Sequence, residues 1–99
     1  MSDMTIQVNA ILINETDNVA TAIVELLQGE TAKFWARGEV AEILITENIP
    51  QYHKLAMRDI RRTELVRKYG EVIGQAVCDI KRGAHVHVHN VESPGRSES

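Results

Sequence analysis

Residues 79–90 read Asp79-Ile80-Lys81-Arg82-Gly83-Ala84-His85-Val86-His87-Val88-His89-Asn90. Three of the chain's four histidines stand here at every second position, with valines between them. Side chains of an extended strand alternate between two faces, whereas a helix would scatter the same set around its axis. The spacing therefore predicts a strand whose dry face comprises Ala84, Val86 and Val88. Its polar face, with imidazoles about 7 Å apart, would comprise His85, His87, His89 and, at its end, Asn90.

The first residues of this stretch are the last of four copies of one pattern. Each copy has a polar residue, an aliphatic anchor, a short turn and a return to apolar positions, and the copies are Glu25–Ala32, Asn48–Leu55, Asp59–Val66 and Asp79–Val86. Their irregular spacing excludes a solenoid. It predicts a compact all-β unit in which the anchors fill the core. Glycine at the fifth position of two copies would allow a positive φ in the turn.

The other segments give weaker indications of structure. Residues 6–13 are predicted to form a first strand and residues 42–48 a further strand, whereas residues 19–27 fit either a helical stripe or a strand. Residues 33–38 are interpreted as a link, in which Trp35 is a core residue or, as the less favoured alternative, part of a subunit contact. Cys78 is predicted to be a buried structural thiol, because no histidine adjoins it in sequence.

Length and composition indicate one small domain. The 99 residues are 43% hydrophobic and 25% charged, as in ordinary globular proteins. We expect the domain to span residues 1–92 and residues 93–99 to form a polar, flexible tail. The single cysteine excludes an internal disulfide. No stretch has the pattern of a signal peptide or the roughly 18 apolar residues of a membrane span, so we expect a cytoplasmic protein without membrane contact.

Charge and aromatic content argue against a nucleic-acid partner. Aromatic residues make up only 4% of the chain, too few for a platform of stacked bases, and the net charge is −3. Residues 54–68 are nevertheless locally basic, with six lysines and arginines against two acidic residues. Such a surface suits a small anion or an acidic partner, although a solvated surface is an equally good interpretation.

Three groups of residues carry possible chemistry. Alternate imidazoles on a strand can reach one metal ion, but they can also line a cleft without any metal. His53-Lys54 combines an acid/base candidate with a cation, and its simplest interpretation is a surface pair. Asp17-Asn18 is typical of an Asx turn, and a contact with sugar hydroxyls or a metal is the minority interpretation.

The sequence resembles the SAF-type domain at the amino end of altronate and galactarate dehydratases, and the similar small subunit of sulfolactate sulfo-lyase. The segments that carry the resemblance are Lys68–Gly74, Asp79–Gly83, His85–Asn90, Asp17–Ala20, Ile49–Pro50 and His53–Ala56. The resemblance implies a mainly all-β, compact β-clip fold and favours a strand in residues 19–27. The chain departs from the family at Tyr52, where a small residue, commonly glycine, precedes the His-Lys pair.

The resemblance also implies a function. The chain would be the small subunit of a sugar-acid hydro-lyase, completing an active site with a larger catalytic subunit that removes water from a polyhydroxy acid. The isolated chain is expected to be inactive, and a homo-oligomer is compatible with the sequence. Alternatives are the small subunit of a sulfo-lyase acting on sulfolactate and a non-catalytic SAF-type binding module. A purely binding module would have no evident need for the polar face of His85, His87 and His89.

Site residues follow from matching the chain to this family. Dehydration next to a carboxylate needs a base, a general acid and positive charge for the enediolate-like intermediate. The catalytic candidates are His53, Lys54, Lys68 and Tyr69. The substrate-binding candidates are Asp17, Asn18, Gly70 and Asn90. The metal-binding candidates are His85, His87 and His89, for a divalent ion, usually iron, whose ligands can lie mainly on the larger subunit.

Overall fold

The computed structural model describes residues 7–94, and every regular element in that range is a β-strand. The strands are β1 (Ala10–Ile11), β2 (Val19–Ala22), β3 (Thr31–Ala36), β4 (Glu39–Leu44), β5 (Lys54–Ala56), β6 (Leu65–Lys68), β7 (Glu71–Ala76), β8 (His85–Val86) and β9 (Val91–Glu92). The predicted all-β class is confirmed. Since the described residues contain no helix, none there is long and apolar enough to cross a membrane.

A four-stranded antiparallel sheet, β1-β2-β5-β8, occupies the middle of the molecule. The β3–β4 hairpin contributes Phe34 and Ile43 to a first hydrophobic core, and the sheet β6-β7-β9 contributes Val66 and Ala76 to a second. Successive residues of β5 divide between the two cores, with Leu55 in the first and Ala56 in the second. This division follows from the alternation of side chains along a strand, and it makes β5 part of both cores.

The four copies of the repeated pattern form two pairs. Their aliphatic anchors are all buried, with exposed fractions of 0–3%, and they are Leu26, Ile49, Ile60 and Ile80. Leu26 and Ile49 exchange backbone hydrogen bonds of 2.9 and 2.7 Å, and Ile60 and Ile80 exchange bonds of 2.8 and 2.7 Å. The first pair lies in the first core and the second pair in the second core. The predicted role of the anchors as core residues is therefore confirmed.

Each copy turns in the same way. The carbonyl of the third residue accepts a hydrogen bond of 2.9–3.0 Å from the N–H of the sixth. The fifth residue always has a positive φ, and these residues are Gly29 (94°), Tyr52 (69°), Thr63 (74°) and Gly83 (85°). A type II turn requires this conformation at its third position. Tyr52, the departure from the family pattern, thus occupies a position suited to glycine, but it still forms the turn.

Side chains link the paired turns. The first residue of one copy accepts a hydrogen bond from the fourth backbone N–H of its partner copy in three cases. These bonds are Gln28 N–H to Asn48 Oδ1 (2.8 Å), Arg62 N–H to Asp79 Oδ1 (2.8 Å) and Arg82 N–H to Asp59 Oδ1 (2.9 Å). In these three copies the polar first residue is therefore a turn cap, which satisfies a backbone donor that the neighbouring strands leave free.

Several predictions about single segments were wrong. Residues 33–36 belong to β3, where Phe34 is fully buried and Trp35 is 52% exposed, so the core aromatic is Phe34. Trp35 points outward because side chains alternate along the strand. Cys78 is exposed rather than buried, since it lies in the bend between β7 and the anchor Ile80.

Other strand predictions were correct in type but too long. Residues 19–22 form β2, as the strand interpretation of residues 19–27 required, but the chain bends after Ala22. The strand predicted at residues 42–48 runs from Glu39 to Leu44 instead. Within residues 6–13 only Ala10–Ile11 form a strand, and Ile6 lies outside the described residues. Residues 95–99 of the predicted tail also lie outside them, and the domain boundary stays a prediction.

A histidine cluster as candidate functional site

The predicted histidine strand ends early. Ala84 and Val86 are buried as expected, but Val88 is 80% exposed at the tip of a turn formed by residues 87–90. Asn90, only 6% exposed, closes this turn by accepting a bond from the His87 N–H (2.9 Å) and donating one to the His85 carbonyl (2.9 Å). The dry face therefore stops at Val86, because the turn interrupts the alternation on which the prediction depended.

His53 joins the histidines of this turn. It directly precedes β5, and β5 pairs with β8 so that Leu55 lies opposite His85. The Nδ1 atom of His53 lies 2.8 Å from Nε2 of His85, within hydrogen-bond distance. The His53 ring also stacks on that of His87, with centroids 3.9 Å apart and planes inclined by 15°. A residue predicted for proton transfer and two predicted for metal binding thus form one cluster.

The group of side chains that converge as ligands differs from the predicted one. Ligand atoms of His53, His85 and His87 all lie within 4.8 Å of one another. His89, predicted as the third ligand, is exposed and is not in this group, although its ring centroid lies 5.0 Å from that of His85. The turn at residues 87–90 carries His89 away from the others. We call His53, His85 and His87 the histidine triad.

The histidine triad has the chemistry of a metal-binding group. Imidazole nitrogens around one transition-metal ion lie roughly 3 Å apart, so the 2.8 Å between His53 and His85 is close to that value. The Nδ1 atom of His87 is buried and has no hydrogen-bond partner among the described residues. Such an orphaned nitrogen is unusual in a folded protein, and a bound ion would satisfy it. The residues present therefore fit a divalent metal.

Burial and neighbouring charges favour the neutral form of two members of the histidine triad by lowering their pKa values. Burial lowers the pKa of His85, and the neighbouring histidines lower it further, against an opposing effect of Glu47. Burial also lowers the pKa of His87, with added contributions from His53, Lys54 and His89. A neutral imidazole has a free lone pair, which metal binding and general-base catalysis both require.

Glu47 is a site residue that the sequence did not indicate. Its Oε1 atom accepts a hydrogen bond of 3.2 Å from the backbone N–H of His85, and its charge opposes the lowering of that histidine's pKa. Glu47 directly precedes the second copy of the repeated pattern, so only the pairing of distant segments brings it to His85. No local signal could have identified it.

Lys54 lies beside the histidine triad. It is half-buried, and burial together with the charge of Lys68 lowers the pKa of its ammonium. Lys54 and His87 line a cleft of about 410 Å³, together with the apolar side chains of Ile73 and Val91. This volume falls within the range of small-molecule sites. The structure thus places two of the four predicted catalytic residues, His53 and Lys54, at the site, and the charge of a third, Lys68, acts on Lys54.

Tyr69 and Gly70 form the turn between β6 and β7. Both residues have positive φ, 59° and 78°, as a two-residue type I′ hairpin requires. Tyr69 is 56% exposed, and the Lys68 ammonium lies 4.7 Å from its ring centroid. The predicted catalytic role of Tyr69 and the predicted substrate contact of Gly70 stay predictions.

Asp17 and Asn18 serve the scaffold. The carboxylate of Asp17 accepts hydrogen bonds from the N–H groups of Tyr69 (2.9 Å) and Gly70 (2.8 Å). The side chain of Asn18 donates to the Leu65 carbonyl (2.9 Å) and accepts from the Arg67 N–H (2.8 Å). Both side chains are buried and attach β6 and its turn to the start of β2. Their predicted substrate contacts stay untested, and their polar groups already have backbone partners.

The local Asx turn is made by a different residue from the one predicted. Asn14 Oδ1 accepts a hydrogen bond of 2.9 Å from the N–H of Thr16, two residues later. Asp17 Oδ2 accepts a weaker local bond of 3.2 Å from the Asn14 N–H, and the same carboxylate also binds backbone N–H groups that are distant in sequence. Sequence spacing indicated a turn at this place but could not show which side chain closes it.

Comparison with known proteins decides the family. The altronate/galactarate dehydratase SAF domain family matches residues 8–94. The chain belongs to this family. The predicted SAF-like, all-β domain is therefore confirmed, and the match spans all the site residues described above.

Curated relatives show the range of proteins that contain this SAF domain. The chain is 35% identical over 83 residues to altronate dehydratase of Escherichia coli (strain K12), covering 84% of this chain but 16% of that protein. It is 38% identical over 84 residues to galactarate dehydratase (L-threo-forming) of the same organism, covering 85% of this chain and 15% of the relative.

A third relative is of similar size to this chain. The SAF domain is 38% identical over 80 residues to (2R)-sulfolactate sulfo-lyase subunit alpha of Chromohalobacter salexigens, covering 78% of this chain and 85% of that subunit. The chain is thus homologous to parts of sugar-acid dehydratases and to a subunit of a sulfo-lyase, and it spans about a sixth of the length of the dehydratases.

Proposed function

We propose that this SAF domain supplies a histidine cluster to the active site of a sugar-acid hydro-lyase, which a larger catalytic polypeptide completes. The convergence of His53, His85 and His87 beside Lys54 is the observation that carries the proposal. The cleft beside them is open, and a polyhydroxy acid needs a pocket that surrounds most of its surface. A second polypeptide surface would therefore be needed to enclose the substrate.

The histidine triad is proposed to bind a divalent metal, with iron as the ion that the family resemblance implies. A bound ion would supply Lewis-acid stabilisation of negative charge on the substrate. The lowered pKa values of His85 and His87 favour the neutral form that a ligand requires, and Asn90 fixes the backbone between them. Lys54 would place positive charge where the enediolate-like intermediate develops.

A sulfo-lyase subunit is the second candidate function. The similarity to (2R)-sulfolactate sulfo-lyase subunit alpha extends over most of that subunit's length. Expulsion of sulfite in place of hydroxide would make the same demands on the base and on the stabilising charge. The site therefore serves either elimination, and the identity of the leaving group distinguishes them.

Assays of the full chain alone and with its larger catalytic polypeptide would test the proposal. The substrates are altronate, galactarate and (2R)-sulfolactate, and turnover is followed by formation of the 2-keto acid or release of sulfite. We expect the chain alone to be inactive and the combination to be active on one of them. Full turnover by the chain alone would contradict the need for a second polypeptide.

Metal binding can be measured separately by the visible absorption of added Co²⁺. We expect the unmodified chain to bind Co²⁺ through imidazole nitrogens, and His87→Gln to weaken binding by at least about tenfold. His89→Gln, a change just outside the histidine triad, is the matched control and should have little effect. Equal losses of Co²⁺ affinity in the two variants would refute the histidine triad as the metal site. Full lyase activity of the assembled His87→Gln enzyme would favour a non-catalytic binding module.

A further inference from the structure

The outward side of the β3–β4 hairpin is apolar at both ends and charged in the middle. Side chains alternate along the two strands, so Ala32, Phe34 and Ile43 pack into the first core while six others point outward. Trp35 is 52% exposed and Leu44 is 61% exposed. We call the outward set the hairpin face, and its three cross-strand rows are Trp35–Val40, Lys33–Glu42 and Thr31–Leu44. Large apolar side chains that are exposed together commonly mark a surface that binds another protein.

The two charges in the middle row are not paired with each other. Lys33 lies opposite Glu42 in the register, yet neither residue forms an ion pair within 4.0 Å among residues 7–94. Arg37, at the tip of the same hairpin, does pair with Glu15, at 3.6 Å. Opposite charges at facing strand positions usually attract each other. As far as the described residues go, both charged groups therefore remain available to a second molecule.

The order of the rows makes the hairpin face complementary to itself. If a second copy packs on it about a twofold axis parallel to the strands, β3 of one protomer lies over β4 of its partner. Lys33 of each protomer then meets Glu42 of the other, so two contacts between opposite charges form. A twofold axis across the strands would instead place Lys33 on Lys33 and Glu42 on Glu42, so charge selects the first arrangement. The remaining contacts are those of Trp35 with Val40 and of Thr31 with Leu44.

We propose that the hairpin face is the interface of a homodimer, in which β3 of each protomer packs on β4 of the other. Six side chains from each protomer bury less area than the roughly 1,600 Å² of a standard interface, so we expect a weak dimer that dissociates on dilution. The histidine triad lies at the β5–β8 pair and not on this hairpin. The dimer therefore does not depend on the proposed lyase function, and each can fail without the other.

Sedimentation equilibrium and tryptophan fluorescence of the full chain test the dimer together. The chain contains a single tryptophan, so all tryptophan emission comes from Trp35. Between about 1 μM and 1 mM we expect the mass to double and the emission maximum to shift to shorter wavelength in parallel, because contact removes water from the indole ring. A chain that stays monomeric throughout would overturn the proposal. A doubled mass without the shift in emission would place the contact elsewhere and would also overturn it.

An apolar substitution tests the ends of the hairpin face. Trp35→Ser should weaken the dimer by about tenfold or more, since tryptophans at interfaces often contribute much of the binding free energy. Val88→Ser is the matched control, because Val88 is an apolar residue that is 80% exposed on the turn at residues 87–90. It should leave dimerisation unchanged. Equal effects of the two substitutions, including no effect of either, would overturn the hairpin face as the interface.

Charge reversal tests how the two protomers are arranged. Lys33→Glu leaves two acidic side chains in the middle row and Glu42→Lys leaves two basic ones, so each variant should dimerise at least about tenfold more weakly. An equimolar mixture of the two variants should form a heterodimer within about threefold of the affinity of the unmodified dimer, because every glutamate of the row then meets a lysine. Mixing could not repair a defect of folding within one chain. If the mixture associates no better than either variant alone, the proposed packing is refuted.

Discussion

The amide side chain of Asn90 fixes the shape of the turn at residues 87–90. Both ends of the buried amide are used, one on the N–H of His87 and the other on the carbonyl of His85. Asp17 acts in the same way on the turn between β6 and β7. Buried polar side chains in folded proteins almost always have such partners. In this domain they hold the backbone that positions His87 and Lys68.

Adjacent valines in this turn should respond in opposite ways to a charge. Val86 is fully buried in the second core, whereas Val88 is 80% exposed. Val86→Asp would bury an unpaired carboxylate, at a cost of several kcal/mol out of the roughly 5–15 kcal/mol that stabilises a typical domain. Val88→Asp should change the free energy of unfolding by no more than about 0.5 kcal/mol.

Thermal unfolding of the two variants, followed by far-ultraviolet circular dichroism, checks this prediction. We expect Val86→Asp to be largely unfolded at 25 °C and Val88→Asp to melt within a few degrees of the unmodified chain. A stable Val86→Asp variant would mean that the second core admits water at this position.

At the scale of elements, the fold is assembled from four turns of one kind, and their fifth residues are not equally constrained. Gly29 and Gly83 both have positive φ, 94° and 85°. A Cβ at Gly29 would meet no atom within 4 Å, whereas a Cβ at Gly83 would collide with the carbonyl oxygen of Leu44. Backbone conformation alone therefore favours glycine in the first copy, and close packing adds a second requirement in the fourth.

The pair of substitutions Gly29→Ala and Gly83→Ala separates these two effects. Gly29→Ala should lower the free energy of unfolding only through the strain of an alanine at positive φ. The expected loss is about 1 kcal/mol, or roughly 5 °C in Tm. Gly83→Ala adds the collision and should cost about 3 kcal/mol or more, or roughly 15 °C. Calorimetry on both variants gives the difference, and equal losses would indicate that β4 shifts at Leu44 to admit the methyl group.

Elements that are defined by neighbouring residues could be predicted from sequence. The anchors Leu26, Ile49, Ile60 and Ile80 were identified correctly, because polar residue, anchor and turn lie within one short segment. Val88 was misplaced because alternation assumes that the strand continues, whereas Asn90 closes a turn. Similarly, composition could not decide whether Phe34 or Trp35 faces the core, since adjacent residues of a strand occupy opposite faces.

The candidate site was predicted in its residue types and not in its arrangement. His53 was recognised as a functional candidate, but its place beside His85 depends on the pairing of β5 with β8. The turn at residues 87–90 keeps His89 out of the ligand group, and a hydrogen bond of 3.0 Å from the Thr46 N–H to the Gly83 carbonyl holds the neighbouring Glu47 near His85. Contacts between segments so distant in sequence leave no periodic pattern, so the sequence could not specify them.

For the molecule as a whole, the partly buried imidazoles of His85 and His87 should make stability depend on pH. The pKa values of His85 and His87 are lowered in the folded state, mainly by burial and further by the neighbouring histidines and, for His87, by Lys54, whereas Glu47 opposes the shift at His85. The unfolded chain, with an ordinary histidine pKa of about 6.5, therefore takes up protons first. The free energy of unfolding that these two histidines contribute is fully present above that pH and decreases as the pH falls below it.

Melting temperatures of the metal-free chain between about pH 8 and pH 5.5 test this expectation. We expect Tm to be nearly constant down to about pH 7 and to fall below about pH 6.5. The variant His85→Gln/His87→Gln should show a flatter profile, because the two groups that gain protons on unfolding are gone. A profile equally steep in this variant would assign the pH dependence to other groups.

Because β5 belongs to both cores, the two halves of the molecule should form and break together. β5 pairs with β2, far upstream, and with β8, far downstream, so the second core cannot exclude water until these distant segments meet. Folding that waits for such encounters typically takes milliseconds to seconds, slower than the folding of locally connected helical proteins. Unfolding should then be a single cooperative transition without a half-folded species. During synthesis, nearly the whole domain must leave the ribosome before the second core can form, because that core extends from Val19 to Val86.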